Sequence, residues 1–491
     1  MMSPIVPLPA KGVPKDTLLG LMREMKARDA PWREGKVFSM VYYVDDELTE
    51  VLKAASALFF SENALNPTAF PSIRQMETEV VAMTAALLGG DEETVGTLTS
   101  GGTESLLMTV KTARDWGRDQ KGITEPEMIL PLTAHPAFEK AAHYFGVRPV
   151  HIPVGPDFRA DLDALERAFT PNTVLVVGSA PSYPQGIMDP IPEMAAMARE
   201  RDVLFHVDAC VGGFMLPFLR ELGYPVPPFD FRVPGVTSIS ADAHKYGYAA
   251  KGVSVILYHN ADLRRYQFFA YTDWPGGIYA SPAMAGTRAA GPIAAAWAVM
   301  HFLGWEGYLR LARQTMETAQ RLQQAFRELP GLFVYGEPVM TVFAVGSRAP
   351  YEVYEIADEM ALRGWHLDRQ HRPPSLHFTI VPAHARVVDA FLEDLHAAVA
   401  QVRRPSPRRA IERGLVRFTA WLMRVLPRKV SHALMRLAPK LFSGSGDKAL
   451  PQRAAPMYGL IGTLPNRQDV HEAVLDLLDQ IFRPPESGKT P

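Results

Sequence analysis

The sequence predicts an α/β fold: a mostly parallel central sheet flanked by helices, followed by a smaller α+β domain. Three features lead there. Between about Phe70 and Gly291, short β-branched runs alternate with helix-period segments, the pattern of βαβ units. The run Val203-Leu204-Phe205-His206-Val207-Asp208 ends in a carboxylate, and Lys245 sits on a turn ahead of the run from Val253 to Tyr258. Open α/β sheets bind ligands outside the carboxyl ends of their strands, where Asp208 and Lys245 both fall.

Taken in order, residues 1–60 read as an N-terminal arm with two helical pieces. Leu18, Leu19, Met22 and Met25 keep one helical spacing, and Leu48, Val51, Leu52 and Ala55 keep another. Residues 61–290 form the large domain. Its strands are expected at Met128 to Leu130, Val150 to Pro153, Val174 to Val177, Leu204 to Val207, Thr237 to Ser240 and Val253 to Tyr258. The most apolar long stretch, Ala289 to Trp305, is interrupted by Gly291-Pro292 and His301. It falls short of the ~20 residues a membrane span requires and is expected as a buried helix. Residues 291–491 form the smaller domain. A long helix runs through Leu309, Thr315 to Leu322 and Phe326; strands follow at Val334, Val342 to Val345 and Leu376 to Ile380, then a helix from Val387 to Val399. Such a domain would act as a lid over the crevice.

Composition narrows the class. With 491 residues, 47% of them hydrophobic, the chain can bury a large core, and a net charge of -2 gives no bias toward nucleic acid. The single cysteine, Cys210, excludes an internal disulfide and suits a reducing, cytoplasmic setting. Met1 to Lys11 carries no basic stretch ahead of an apolar core, so no signal peptide is expected.

The chemistry concentrates in three motifs. Lys245 lies in His244-Lys245-Tyr246-Gly247, with Lys251 close behind. A lysine that is desolvated or crowded by a second cation loses its proton more readily and forms a Schiff base with a carbonyl compound. Asp208 is suited to sit beside a protonated ring nitrogen, which then draws electrons from a breaking bond. Upstream, Thr99-Ser100-Gly101-Gly102-Thr103-Glu104-Ser105 precedes the helical pattern of Leu106, Leu107 and Val110. Free N–H groups and the positive end of the helix dipole suit a phosphate there. Each motif alone has a plain structural alternative, a solvated lysine or a helix cap. Cradle, carboxylate and lysine in this order describe a site for pyridoxal 5'-phosphate.

The same residues resemble the sphingosine-1-phosphate lyase family within the group II pyridoxal-phosphate decarboxylases. The resemblance runs from about Pro31 to Phe482. It rests on the cradle, Ala134-His135-Pro136-Ala137-Phe138, His206 to Phe214, the lysine stretch, Thr272 to Tyr279 with Gly286-Thr287-Arg288, and Met457-Tyr458-Gly459. It implies the fold-type I, aspartate-aminotransferase-like architecture and a homodimer. It implies that Lys245 holds the cofactor, Asp208 serves its ring nitrogen, His135 stacks on its ring, and His244 joins Gly102 and Thr103 at its phosphate. Gly286 and Thr287 are implied to reach the cofactor phosphate of the other subunit, and Tyr42 to lie near the substrate phosphate. Asn66 stands where relatives carry a histidine that helps hold that phosphate, and Ala180 and Ala243 replace threonines.

One segment, about 403–450, is foreign to that pattern. Between Arg403 and Lys440 there are eleven Lys or Arg against the single acid Glu412. Leu415, Phe418, Leu422 and Val425 keep one helical face while Arg413, Arg417, Arg424 and Arg428 keep another. Such a helix suits an anionic membrane surface, or packing on its own subunit or the partner. Nucleic acid is not expected, because aromatics interleaved for stacking are missing. The resemblance implies carbon–carbon cleavage of a phosphorylated long-chain base to a fatty aldehyde and phosphoethanolamine, with Lys245 or Lys251 moving protons. An amino-acid decarboxylase would use Asp208 in the same way, so the cofactor motifs leave both open. An inactive cofactor-binding or membrane-associated scaffold is the third alternative, and the presence of Lys245, Asp208 and the cradle counts against it.

Overall fold

The computed structural model describes residues 8–348, 352–407, 409, 411, 414, 418, 455 and 467–483. They fall into two compact units: one comprises Phe38–Val345 and His377–Ala390, the other Met1–Val37, Gly346–Leu376 and Phe391–Pro491.

The first unit is built on a seven-stranded sheet. Its strands are β1 (Val95–Thr99), β2 (Glu127–Pro131), β3 (Arg148–Ile152), β4 (Thr173–Ser179), β5 (Leu204–Asp208), β6 (Ser238–Ala241) and β7 (Ser254–Tyr258). They lie in the order β1-β7-β6-β5-β4-β2-β3. β3, β2, β4, β5 and β6 run parallel, and β7 runs against both of its neighbours, β6 and β1. Successive residues serve opposite faces, and both faces are packed: Val176 joins one apolar cluster while Leu175 and Val177 join the other. This is why β4 reads as a continuous apolar run rather than an alternating one.

All six expected strands form, and β1 is an addition to them. Its sequence Val95-Gly96-Thr97-Leu98-Thr99 carries a glycine, which weakens a strand signal. A Cβ on Gly96 would lie 2.6 Å from the Ile256 carbonyl oxygen, so the close approach of β7 requires the glycine. That requirement comes from a partner far along the chain.

Helices α1 (Lys15–Lys26) and α2 (Asp46–Leu58) occupy the two spacings read in the arm. The Asp45 side chain caps α2 by accepting the Leu48 N–H. Helix α3 (Pro71–Leu87) begins with proline, at a position whose N–H has no helical partner in any case. The apolar stretch after Ala289 becomes the first part of helix Ala290–Glu328, which bends at Gly304, where φ is 55°. Pro292 falls in its first turn, where proline is tolerated. This helix, expected in the smaller domain, packs on α2 and α3 and so belongs to the unit that holds the sheet. Among the described residues, no helix is long and apolar enough to cross a membrane.

In the second unit, Asp358 on helix Val353–Ala361 pairs with Arg369 at 2.9 Å and accepts the Ala455 N–H. Trp365 lies edge-on to Phe391 and donates to Asp394 at 2.8 Å. Helix α1 belongs here and buries none of its residues; Leu18, Met22 and Met25 are exposed. Most of the basic segment at 403–450, and the motif Met457-Tyr458-Gly459, lie outside the described residues.

Arg288 fastens the loop ahead of the long helix to the sheet. Its guanidinium forks onto Glu77 of α3 at 2.7 and 2.9 Å, and Glu77 also accepts the Leu98 N–H of β1. Arg288→Met strands that largely buried carboxylate. The expected loss is about 3 kcal/mol, read as a lower denaturation midpoint. Adding Glu77→Gln should recover part of it.

Candidate active site

The carboxyl ends of β4, β5 and β6 stand side by side, with Ser179 in register with Asp208 and Asp208 with Ser240. After β6 the chain turns through Asp242 and Lys245, the Lys245 N–H bonding back to the Asp242 carbonyl, before it returns as β7. A crevice of about 250 Å³ opens at these ends. Six of the expected residues line it: Tyr42, His135, Asp208, His244, Lys245 and Lys251.

Lys245 is not a free amine here. Its Nζ lies 2.9 Å from Asp242 Oδ2, and the Asp242 side chain is 1% exposed. Burial pulls the Lys245 pKa down, but the Asp242 charge outweighs it and holds the ammonium well above the ordinary lysine range. Asp242 is lowered in turn: burial opposes ionisation, and the Lys245 charge overcomes it. Lys251 behaves in the opposite way. The residue is exposed as a whole, yet its Nζ lies 5.1 Å from the centroid of the Tyr42 ring. Desolvation there, reinforced by the Lys245 charge and opposed by Asp242, brings its pKa down to about 8. Burial pushes the Tyr42 hydroxyl up to about 12, with Lys245 opposing and Asp242 adding, so it stays protonated.

The two histidines are fixed by backbone contacts. His135 Nδ1 accepts the Ala137 N–H at 3.1 Å, which leaves the proton of the neutral ring on Nε2. Desolvation lowers its pKa, with Asp208 opposing. His244 Nδ1 donates to the Val253 carbonyl at 2.6 Å, and its Nε2 stands 3.8 Å from Asp242 Oδ2. Desolvation lowers this pKa as well, against the Asp242 charge. Asp208 is 8% exposed, and its Oδ1 accepts the Cys210 N–H at 3.1 Å.

Helix α4 (Gly102–Lys121) starts against this cluster. A Cβ on Gly102 would lie 2.7 and 2.8 Å from the Asp242 carboxylate oxygens and 3.0 Å from Cys210 Sγ. Thr103 is exposed in the first turn. Three expected residues stay away from the crevice of their own chain. Asn66 is exposed, and its Oδ1 accepts the Thr68 and Ala69 N–H groups, an Asx turn ahead of α3. Thr287 Oγ1 accepts from Asn63 Nδ2 at 3.3 Å, and Gly286 packs beside the Tyr279 hydroxyl.

A model of the pyridoxal-dependent decarboxylase conserved domain matches residues 32–345. The chain is 43% identical over 484 residues to the sphingosine-1-phosphate lyase of Arabidopsis thaliana, covering 97% of this chain and 81% of that relative. To sphingosine-1-phosphate lyase 1 of Rattus norvegicus it is 44% identical over 398 residues, 80% of this chain and 70% of the relative. The chain belongs to the sphingosine-1-phosphate lyase family. The solved lyase of Burkholderia pseudomallei superposes with a TM-score of 0.79 at 42% identity, over 84% of this chain and 96% of that one. Glutamate decarboxylase of Lactobacillus brevis shares the fold, with a TM-score of 0.72 at 19% identity. The architecture is therefore the fold-type I one, and the chain is a pyridoxal-phosphate-dependent lyase.

The residues present fit that cofactor. Asp208 is a buried carboxylate that would suit the ring nitrogen, Lys245 carries an amine that would meet the carbonyl carbon, and α4 offers a helix start, cleared of side-chain bulk by Gly102, that would suit the phosphate. Sequence reasoning missed Asp242, though it follows a strand end just as Asp208 ends one. It also missed the support beneath Asp208. Buried His206 contacts the Ser238 and Ser240 hydroxyls at 2.8 and 3.1 Å, and Cys210 Sγ donates to Ser240 at 3.2 Å. Burial drives the His206 pKa down to about 4, so the ring is neutral. The signal was there in Ser238 and Ser240, spaced two apart on the neighbouring strand.

Gly102→Ala pushes a methyl against the Asp242 carboxylate. Cofactor affinity should fall at least about tenfold, roughly 1.4 kcal/mol, in an absorbance titration, with an unchanged far-ultraviolet dichroism spectrum.

Proposed function

We propose that the chain cleaves a phosphorylated long-chain base between C2 and C3, giving a fatty aldehyde and phosphoethanolamine. The supporting observation is the breadth of the likeness: identity of 41% to 44% with sphingosine-1-phosphate lyases over 80% or more of the chain. That span exceeds the cofactor motifs alone.

Bound pyridoxal phosphate supplies a carbonyl carbon for the substrate amine and a ring that takes up the electrons of the breaking bond. Lys245 binds it through Nζ. Asp208 keeps a proton on its ring nitrogen, His135 covers the ring face, and Gly102, Thr103 and His244 hold its phosphate. Tyr42, protonated to about pH 12, donates its hydroxyl to the substrate phosphate. Lys251, whose pKa is about 8, accepts the proton of the 3-hydroxyl as the C2–C3 bond opens.

The reading includes a homodimer with a partner's Gly286 and Thr287 segment reaching the crevice, and Asn66 beside substrate. In support, none of these lines its own crevice. Phe269, Tyr271, Trp274 and Ile278, on the hairpin before that segment, are exposed apolar side chains suited to burial against a second copy. It also includes a cytoplasmic setting, with residues 403–440 meeting an anionic membrane surface. That part rests on charge pattern alone.

Purified enzyme with pyridoxal phosphate should convert sphingosine 1-phosphate to long-chain aldehyde and phosphoethanolamine. Carbon dioxide and an amine from a free amino acid, without aldehyde, would reject the lyase. Because Lys251 must be neutral to accept a proton, kcat/KM should climb with pH to about 8 and level off above it. Lys251→Arg should lose that limb and cost about 100-fold or more in kcat.

A further inference from the structure

Two cations share the crevice in unequal company. Lys245 Nζ is 2.9 Å from Asp242 Oδ2. Lys251 Nζ has the Tyr42 ring and, at 3.4 Å, the His244 carbonyl. Among the described residues no carboxylate lies within ion-pair distance of Lys251.

Asp242 is placed too tightly for a casual surface pair. It follows directly on β6, its side chain is 1% exposed, and the start of α4 packs against both of its oxygens. Its Oδ1 is buried and takes no hydrogen bond. A carboxylate so enclosed is stable as an anion only beside a cation, and the positive end of the α4 dipole adds to what Lys245 provides.

The other groups that act on Lys245 do not compete as anions. Burial raises the pKa of Cys210 and of Tyr42, so both stay neutral. Desolvation lowers His135 and His244, so neither adds a positive charge at neutral pH. Asp242, in ion-pair contact, and Lys251 act on Lys245 as charges, and the Asp208 carboxylate lines the same crevice.

We propose that Asp242 is a positioning residue that divides the work of the two lysines: it clamps Lys245 as an ammonium whenever that amine is free, and leaves Lys251 as the lysine that exchanges protons with substrate. This rests on the proposed function in taking Lys245 as the residue that binds the cofactor and Lys251 as the one that meets substrate; the titration order itself rests on neither. A clamped ammonium has no lone pair, so Lys245 does not compete with the substrate amine while substrate occupies the crevice.

The test is the order in which the two amines titrate in the full-length chain stripped of cofactor. Trace acetylation with acetic anhydride across pH 6 to 11, followed by peptide mass spectrometry, gives a midpoint for each lysine. Accessibility changes the rate but not the midpoint. Lys251 should titrate near pH 8 and Lys245 at least about one unit higher. Asp242→Asn should lower the Lys245 midpoint by about one unit or more, a tenfold gain in reactivity at fixed pH, and Asp242→Glu should keep the unaltered order. Lys245 titrating together with Lys251, or before it, overturns the proposal in the unaltered chain without any variant. An unmoved midpoint in folded Asp242→Asn overturns it too. Absence of aldehyde in the product assay would reject the proposed reaction and leave this order standing.

Discussion

Register holds the crevice together. Ser179, Asp208 and Ser240 are successive partners across β4, β5 and β6, so the three strand ends finish level. Side chains in a strand alternate faces, and a slip of one residue would carry Asp208 to the opposite side of the sheet. What prevents the slip is apolar packing on both faces, with Phe205 and Val207 in one cluster and Leu204 in the other. His206 contributes from within, since its two ring nitrogens meet Ser238 and Ser240 on β6 in the observed register. The chemistry at the strand ends thus depends on hydrophobic order some residues below it.

Burial then sorts the titrating groups. Desolvation alone would neutralise every one of them, and it does so for His135, His206, His244, Cys210 and Tyr42. Asp242 and Lys245 escape because they lie within ion-pair distance of each other. Lys251 lacks such a partner among the described residues, and its pKa falls to about 8. Two lysines six positions apart in sequence thereby shift in opposite directions: at Lys245 the Asp242 charge outweighs burial, and at Lys251 desolvation prevails.

Much of this was legible in the sequence, and the boundary follows physical lines. Five of the six predicted strands are buried along their whole length, and β3, at the edge of the sheet, is buried only at Ile152. Asp208 and Lys245 were expected in one crevice because ligands bind at strand ends in open sheets, and both line it. β1 was not found, because its glycine answers to a carbonyl on β7, more than 150 residues away. The helix Ala290–Glu328 was assigned to the smaller domain because periodicity shows an apolar face but not what that face covers. Asp242 was passed over since a carboxylate three residues before a lysine reads equally as a turn residue; only the fold shows that it is enclosed. Asn66, Gly286 and Thr287 came from resemblance alone, and their surroundings within one chain are an Asx turn, the Tyr279 hydroxyl and Asn63.

The antiparallel pairing of β6 with β7 has a further consequence. Parallel neighbours such as β4 and β5 must be joined by a crossover long enough to return the chain to the same edge of the sheet, whereas antiparallel neighbours are joined by a simple reversal. Asp208 lies on a strand whose place depends on such crossovers, while Lys245 rides on the reversal. The loop bearing Lys245 can therefore lengthen or shorten without re-threading the sheet, so the shape of the crevice on that side is uncoupled from the order of the strands.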